Sequence, residues 1–505
     1  MLHRTHAVGL ALVHAFCGTA YADDINVPGD QPTLAAAVAV AMPGDEIILA
    51  PGTYVIASTV SVTSLDNLII RSASGNADDT VLDGNGLHTG IDINTSDGVV
   101  IKGIEFTDFS RALDISRSQA SIRECRFTDN HDLNTSSSGV IVYSIVSDLA
   151  VESCVFENNS YSGPNSAGGA LAAFGGTLTV TGSHFEANSG NFDEMLPNNQ
   201  GGAILLALGA ATGQDFEGVD CTIRRCAFVD NTSESGGAVS GIGATIDIDE
   251  CVFLRNHATL GGAVFTFGPT LTQGDLPSSV KITNSLFNAN SAERLGASIN
   301  GFGGAVGLGS LAQLEFYNST VVNNTAEAGT GGIFLFSSAA GFIDNTIFDG
   351  NNGAFSGGQL FTNHTLVNDP AVMFADADGS DDIPDNEDDD FRLAAGSAGI
   401  DAGGNDVANA LTVDLDGNPR FVDDPDTADT GNGTAPIIDI GAYEYQGVPE
   451  CLADTNHDGV VSPADFSAWV AAFNAQAPEC DQNGDGICSP ADFSAWVANF
   501  NAGCN

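Results

Sequence analysis

Val151-Glu-Ser-Cys154-Val-Phe156-Glu-Asn-Asn159 is one copy of a phrase that returns along the middle of the chain. Its form is Ile/Val-x-x-Cys/Ser/Thr-x-Phe-x-x-Asn, followed after a gap by Gly-Gly-Ala. The phrase begins again at Ile122, Val180, Ile223, Ile248, Ile282 and Ile343, with a looser copy at Phe316. An earlier copy at Ile101 lacks the Asn. The glycine pairs begin at Gly168, Gly201, Gly236, Gly261, Gly303 and Gly331. Cys and Phe, two apart, point to one face of a strand. The two residues before Cys and the Asn three after Phe make corners. Asn tolerates a left-handed backbone, and stacked Asn amides can bond up a ladder. Gly-Gly lets the chain turn, and the following Ala starts a strand where space is tight. The anchor Ile/Val recurs every 21 to 43 residues, which suits coils of short strands with loops of variable length. One such coil cannot bury its own apolar side chains, but a stack can.

These repeats predict a mainly β chain with a right-handed parallel β-helix, a solenoid, over residues 23–362. The hand follows from the parallel crossover rule. A capping helix is expected at about 31–41, where Pro32-Thr-Leu-Ala-Ala-Ala-Val-Ala-Val-Ala41 precedes Pro43-Gly-Asp-Glu-Ile-Ile-Leu-Ala-Pro-Gly-Thr-Tyr54. That opening and the array resemble the pectin-lyase-like superfamily. The Gly-Gly-Ala and Phe-x-x-Asn alternation also resembles the repeats of polymorphic outer-membrane proteins. Cys125, Cys154, Cys226 and Cys251 share one ladder position and read as small buried apolar residues. Cys221 lies outside that ladder.

The tail carries a second repeat. Asp454-Thr-Asn-His-Asp-Gly-Val-Val-Ser-Pro-Ala-Asp465 and Asp481-Gln-Asn-Gly-Asp-Gly-Ile-Cys-Ser-Pro-Ala-Asp492 each run into a Phe-Ser-Ala-Trp-Val-Ala segment. Calcium takes six to eight oxygens, and loop positions 1, 3, 5, 7, 9 and 12 supply them in known calcium loops. Here those positions hold Asp454, Asn456, Asp458, Val460 through its carbonyl, Ser462 and Asp465. In the second copy they hold Asp481, Asn483, Asp485, Ile487 through its carbonyl, Ser489 and Asp492. Gly459 and Gly486 supply the bend at position 6. Ser462 and Ser489 are N-caps, with Pro463 and Pro490 at the first helical position. Phe466, Trp469, Val470 and Phe473, and likewise Phe493, Trp496, Val497 and Phe500, follow a helical period. Residues 448–505 are therefore expected to form a small all-α domain binding Ca2+.

The loop-helix pair resembles a dockerin. That resemblance implies calcium-dependent attachment to a cohesin-like partner on a scaffold or cell surface. It departs from the family at the recognition surface: Pro-Ala precedes position 12, and Cys451–Asn505 contains no Lys or Arg. Cys451, Cys480, Cys488 and Cys504 allow three pairings. Cys480–Cys488 with Cys451–Cys504 is favoured because it would tie the two ends together, and the other pairings stay open.

Between array and tail, residues 363–447 hold an acidic run, then Ala395-Gly-Ser-Ala-Gly-Ile-Asp-Ala-Gly403 and Asp439-Ile-Gly-Ala-Tyr-Glu444. This stretch resembles the module called choice-of-anchor Q in exported β-helix proteins. Asp376, Asp378 and Asp381 are spaced closely enough for a third calcium site, although a solvated acidic loop is the favoured reading. At the other end, residues 1–22 read as a signal peptide: a basic start, an apolar run over Ala7–Cys17 and Ala20-Tyr-Ala22 before the cut. A secreted or cell-surface location is expected. No later segment reads as a membrane span.

The chain has 65 acids against 14 bases, a net charge of −51. That excludes nucleic acid and anionic membranes as electrostatic partners. It also disfavours polyanionic sugars unless calcium bridges them. Lys102, Arg111, Arg117, Arg123 and Arg126 lie near Asp92, Asp108, Asp114, Asp129 and His131, the one region where a base and acids could meet. Asn94-Thr-Ser-Asp-Gly98 imitates one hydrolase signature of β-helix enzymes with an inserted residue, and Gly-His-Gly is absent. No catalytic residue is assigned. The expected function is a rigid extracellular rod that binds polysaccharide and attaches through its tail. The alternative is a polysaccharide lyase or glycoside hydrolase.

Overall fold

The structure, a computed structural model, describes residues 22–132, 140–161, 168–190, 200–210, 216–271, 274–295, 300–408, 411–447, 452–456, 461–483 and 486–502. The expected signal peptide lies outside them except for Ala22. So do Cys451, Asp458, Gly459, Val460, Asp485 and Cys504.

The chain winds as a parallel β-helix, in which each strand bonds to the equivalent strand of the next coil. A short helix, α1 (Leu34–Val38), caps the first coil; Thr33 is its N-cap and Leu34, Ala37 and Val38 are buried. It is shorter than the 31–41 span read from the sequence, although Ala41 beyond its end still packs on the core.

Each coil offers three faces. The anchor face carries the Ile/Val position, with Val151 opposite Val180 and Ile223 opposite Ile248. The phenylalanine face aligns Phe127, Phe156, Phe185, Phe228, Phe253 and Phe287. A third face follows Gly-Gly-Ala and aligns Val142, Leu171, Ile204, Val239, Val264, Val306 and Ile333. Loops of very different length lie between these positions without disturbing the register. The repeat is therefore set by what must point inward.

From Phe106 to Phe287 the rings stack with centroids 4.5–5.0 Å apart and planes within 9° of parallel. Beside this stack runs an asparagine ladder. Asn130 Nδ2 donates to Asn159 Oδ1 at 2.9 Å, and the pattern continues through Asn188, Asn231, Asn256, Asn290, Asn324 and Asn351. The other Nδ2 proton satisfies a carbonyl of the preceding coil, as from Asn159 to Phe127. The corner differs from the sequence expectation in one respect. The left-handed residue is not the ladder Asn but the one before it: Asp129, Asn158, Ala187, Asp230 and Arg255 all have φ between 52° and 55°. The bend falls there because the ladder Asn must turn its amide inward, which leaves its neighbour pointing out.

The glycine pairs divide two tasks. Gly168, Gly201, Gly236, Gly261 and Gly303, the first of each pair except Gly331, take positive φ. The second glycine has no room: a Cβ on Gly237 would overlap the Gly262 carbonyl and the His257 backbone. Cys125, Cys154, Cys226 and Cys251 are buried free thiols, and Cys125 Sγ donates to the Arg123 carbonyl at 3.2 Å. Cys221 is also buried, at an inward anchor-face position between Leu178 and Ile246, so it belongs to a core ladder of its own.

Thr365–Val367 adds one more rung beside Thr346–Phe348, and the chain after it folds back along the coil. Phe391 packs with Leu286 and Val322, and Leu393, Ile400 and Ile440 pack on Ile347. Arg420 is fully buried in this seam. Its guanidinium donates to Asn284 Oδ1 at 2.8 Å and to the carbonyls of Gly441 and Ala442, beside Glu444. The acidic run takes part as well: Asp385 and Asp389 accept from Asn323 and Asn288 of the coil. Asp381 is held by Asn386.

In the tail, helices α2 (Pro463–Ala475) and α3 (Pro490–Ala502) face each other through Phe466, Trp469, Phe493 and Trp496. No helix among the described residues is long and apolar enough to cross a membrane.

Candidate functional site

Alternation puts every second residue of the anchor face in solvent. Between Thr245 and Phe361 those outward residues form a cleft of 660 Å³. One row across successive coils reads Asp247, Lys281, Glu315, Phe342, Phe361. A parallel row reads Thr245, Ser279, Gln313, Ala340. Tyr317 closes the side, its ring 6.0 Å from that of Phe342. Burial, with the charges of Glu315 and Asp344, pushes the Tyr317 hydroxyl up, so it remains a neutral donor. Phe361 is 66% exposed. A second, smaller cleft of 390 Å³ lies earlier on the same face, lined by Gln119, Ser121, Arg123, Asp148 and Thr179. Apart from Arg123, none of these cleft residues stood out as a site in the sequence. The alternation was visible, but loop lengths hide which rungs become neighbours.

The basic region singled out in the sequence is divided by the fold. Lys102 pairs with Glu124, Arg123 with Glu152, and Arg126 with Asp78 and Glu157, all on the outer surface. Arg117 takes a left-handed turn, as do Asp108 and Asp129. His131 Nδ1 meets Ser160 Oγ at 2.7 Å. Arg111 leaves this group for the third face. There Asp92 and Asp114 are opposite each other in neighbouring coils, and Tyr143 follows in the next. Arg111 donates to Asp114 Oδ2 at 2.6 Å and lies 4.4 Å over the Tyr143 ring. Burial, then the charge of Asp114, holds the Asp92 carboxyl above its usual range.

The tail loops hold their acids inside. Asp465 and Asp492, at position 12, are fully buried, and Asp454 nearly so. Asp465 accepts from the backbone N–H groups of Asn456 and Ser462, and Asp492 from those of Gln482, Asn483 and Ser489. Asp481 Oδ2 accepts from Gly486 N at 2.7 Å, and Gly486 has φ +79°. The first residue of the second loop thus draws in the sixth. Trp469 Nε1 donates to the Cys480 carbonyl and Trp496 Nε1 to Thr455 Oγ1, which ties each helix to the opposite loop. Cys480 and Cys488 are joined by a disulfide. Phe466, Val470, Phe493 and Val497 stay more than a third exposed although they lie on the apolar stripe.

The family described as right-handed beta helix region matches residues 48–211. No curated protein matches the sequence. The chain is similar in structure to pectate lyase Pel9A, at 14% identity and a TM-score of 0.41, over 85% of this chain and 97% of that one. It is similar to the PL6 family polysaccharide lyase from Pseudopedobacter saltans, at 14% identity and a TM-score of 0.40, over 72% and 96%. It is also similar to an alginate lyase from Paenibacillus sp. str. FPU-7, at 12% identity and a TM-score of 0.36, over 68% and 99%.

Proposed function

We propose that this chain is an exported β-helix rod that binds a neutral polysaccharide along its anchor face and is attached through a calcium-loaded tail. The observation that carries the binding role is the cleft at Asp247, Lys281, Glu315, Tyr317, Phe342 and Phe361. Its rungs recur at about 4.8 Å, so a long ligand lying along the helix axis meets similar groups again and again. Exposed aromatic faces suit the C–H faces of sugar rings, and hydroxyl, amide and carboxylate groups suit their hydroxyls. A net charge of −51 favours a neutral chain over a uronic one. Affinity electrophoresis tests this. The protein should be retarded in a gel containing its polysaccharide, and Tyr317→Ala should restore mobility. Unchanged mobility in every neutral polysaccharide would refute it.

The loop residues fit calcium. Asp454, Asn456, Asp458, the Val460 carbonyl, Ser462 and Asp465 would hold one ion. Asp481, Asn483, Asp485, the Ile487 carbonyl, Ser489 and Asp492 would hold the other. Bound calcium would neutralise carboxylates that each loop otherwise buries together. The exposed Phe466, Val470, Phe493 and Val497 then offer an apolar stripe to a cohesin-like partner, in place of the basic contacts that a tail without Lys or Arg cannot make.

A second reading, a polysaccharide lyase or hydrolase, is favoured by the Asp92–Asp114 pair with Arg111 and Tyr143. Two adjacent carboxylates, one raised by burial, are the groups that acid–base cleavage uses. Ultraviolet-absorbing unsaturated products would show elimination, and new reducing ends without them would show hydrolysis. Either activity, lost in Asp92→Asn, would establish the enzyme.

A further inference from the structure

Asp401 lies in the segment that folds back on the coil, with φ 52° and no exposed surface. Its backbone is fully engaged: the N–H donates to Asp439 Oδ1 at 2.8 Å, and the carbonyl accepts from Thr430 and Gly431. Its Oδ2 accepts from Asp424 N at 3.2 Å. Its Oδ1 is buried and has no hydrogen-bond partner among the described residues. A buried carboxylate oxygen left in that state is costly unless something supplies positive charge.

What faces it is more negative charge. The exposed Asp423 and Asp429 each bring a carboxylate oxygen so that all three residues' oxygens lie within 4.8 Å of one another. Burial, with the charges of Asp423, Asp429 and Asp424, pushes the Asp401 carboxyl up to about 6. Two oxygens that are each about 2.4 Å from a calcium ion are at most about 4.8 Å apart, so the three residues can share one ion.

We propose that Asp401, Asp423 and Asp429 form a divalent-cation site, for calcium, that clasps the loop carrying Asp423 and Asp429 to the segment around Asp401. The donor set is all oxygen and anionic, which is hard-cation chemistry. The ion would meet the unpartnered Oδ1 and offset the mutual repulsion of the three acids. The site is separate from the tail loops and from the closely spaced Asp376, Asp378 and Asp381. Among the described residues the latter three do not gather within metal-ligand distance.

Calcium titration calorimetry on the full chain tests it. The tail is disabled by Asp465→Ala with Asp492→Ala, and the proposed site by Asp423→Asn with Asp429→Asn. Both residues of the second pair are exposed, and Asn keeps their shape. The tail-disabled protein should still bind calcium, and adding the second pair should weaken that binding at least tenfold. A melting temperature raised by calcium in the tail-disabled protein should lose that rise in the combined variant. If the tail-disabled protein binds no calcium, or binds it equally with and without Asp423 and Asp429, the proposal is overturned. Equal calcium binding by the parent and the tail-disabled protein would count against the tail reading and leave this one standing.

Discussion

Asn231→Ala removes one link from the middle of the asparagine ladder. Asn231 Oδ1 accepts from Asn188 N at 3.1 Å and from Asn188 Nδ2 at 2.9 Å. Its Nδ2 donates to the Phe185 carbonyl at 2.9 Å and to Asn256 Oδ1 at 3.0 Å. After truncation, the Asn188 N–H and the Phe185 carbonyl lose those partners, and the site has no solvent exposure to replace them. Each stranded buried group costs about 1–3 kcal/mol, so the expected loss is about 2–6 kcal/mol. The damage should also divide the solenoid, since coils are stabilised mainly by their neighbours. Urea unfolding followed by far-ultraviolet circular dichroism reads it. Both tryptophans, Trp469 and Trp496, are in the tail, so their fluorescence does not report on the coil. Asp220→Asn on the outer anchor face is the control and should stay within about 0.5 kcal/mol of the parent. An Asn231→Ala protein that unfolds at the parent's midpoint would refute the claim that the ladder holds the coil.

Three further outcomes are expected. Gly237→Ala should destabilise by about 1–3 kcal/mol or more, because its Cβ meets backbone that cannot move aside; equal urea midpoints would contradict this. His257, beside Ser291, has a depressed pKa from burial, partly offset by Glu293. The folded protein therefore binds this proton less readily than the unfolded chain. The stability His257 contributes is fully present above the ordinary imidazole value and is lost as pH falls from there through the depressed folded value. Melting temperature should thus fall less steeply on acidification in His257→Gln than in the parent, and parallel curves would contradict the assignment. Chelation should change tryptophan fluorescence while the coil's circular dichroism holds, with Asp465→Ala and Asp492→Ala each removing part of the change. No fluorescence change on chelation would contradict calcium in the tail.

The coil was legible because its physics repeats. Phe156 and Asn159 each touch their own kind above and below, so the same letter is demanded at every turn. Gly237 was legible for the same reason, although the sequence suggested a turn and the structure adds a backbone that leaves no room for a side chain. The corner was read one residue late, since Asn158 and Asn159 look alike in sequence while only the first is left-handed. The return of the chain after Val367 was not legible. Arg420 finds Asn284 across 136 residues, and Asp385 finds Asn323 across 62, with no period to announce either pairing. The cleft was hidden similarly. Tyr317 and Phe342 become neighbours only once the loop between them is known to span one coil. The basic cluster looked like one site because Lys102, Arg111 and Arg126 are close in sequence. Alternation and corners send them to different faces.

Binding calorimetry of the full chain with a neutral polysaccharide, repeated with Tyr317→Ala combined with Phe342→Ala, tests the central claim most directly. The account predicts saturable binding by the parent and at least a tenfold loss in the variant, a change of about 1.4 kcal/mol or more. Absence of binding to any neutral polysaccharide, or equal binding by parent and variant, would contradict it.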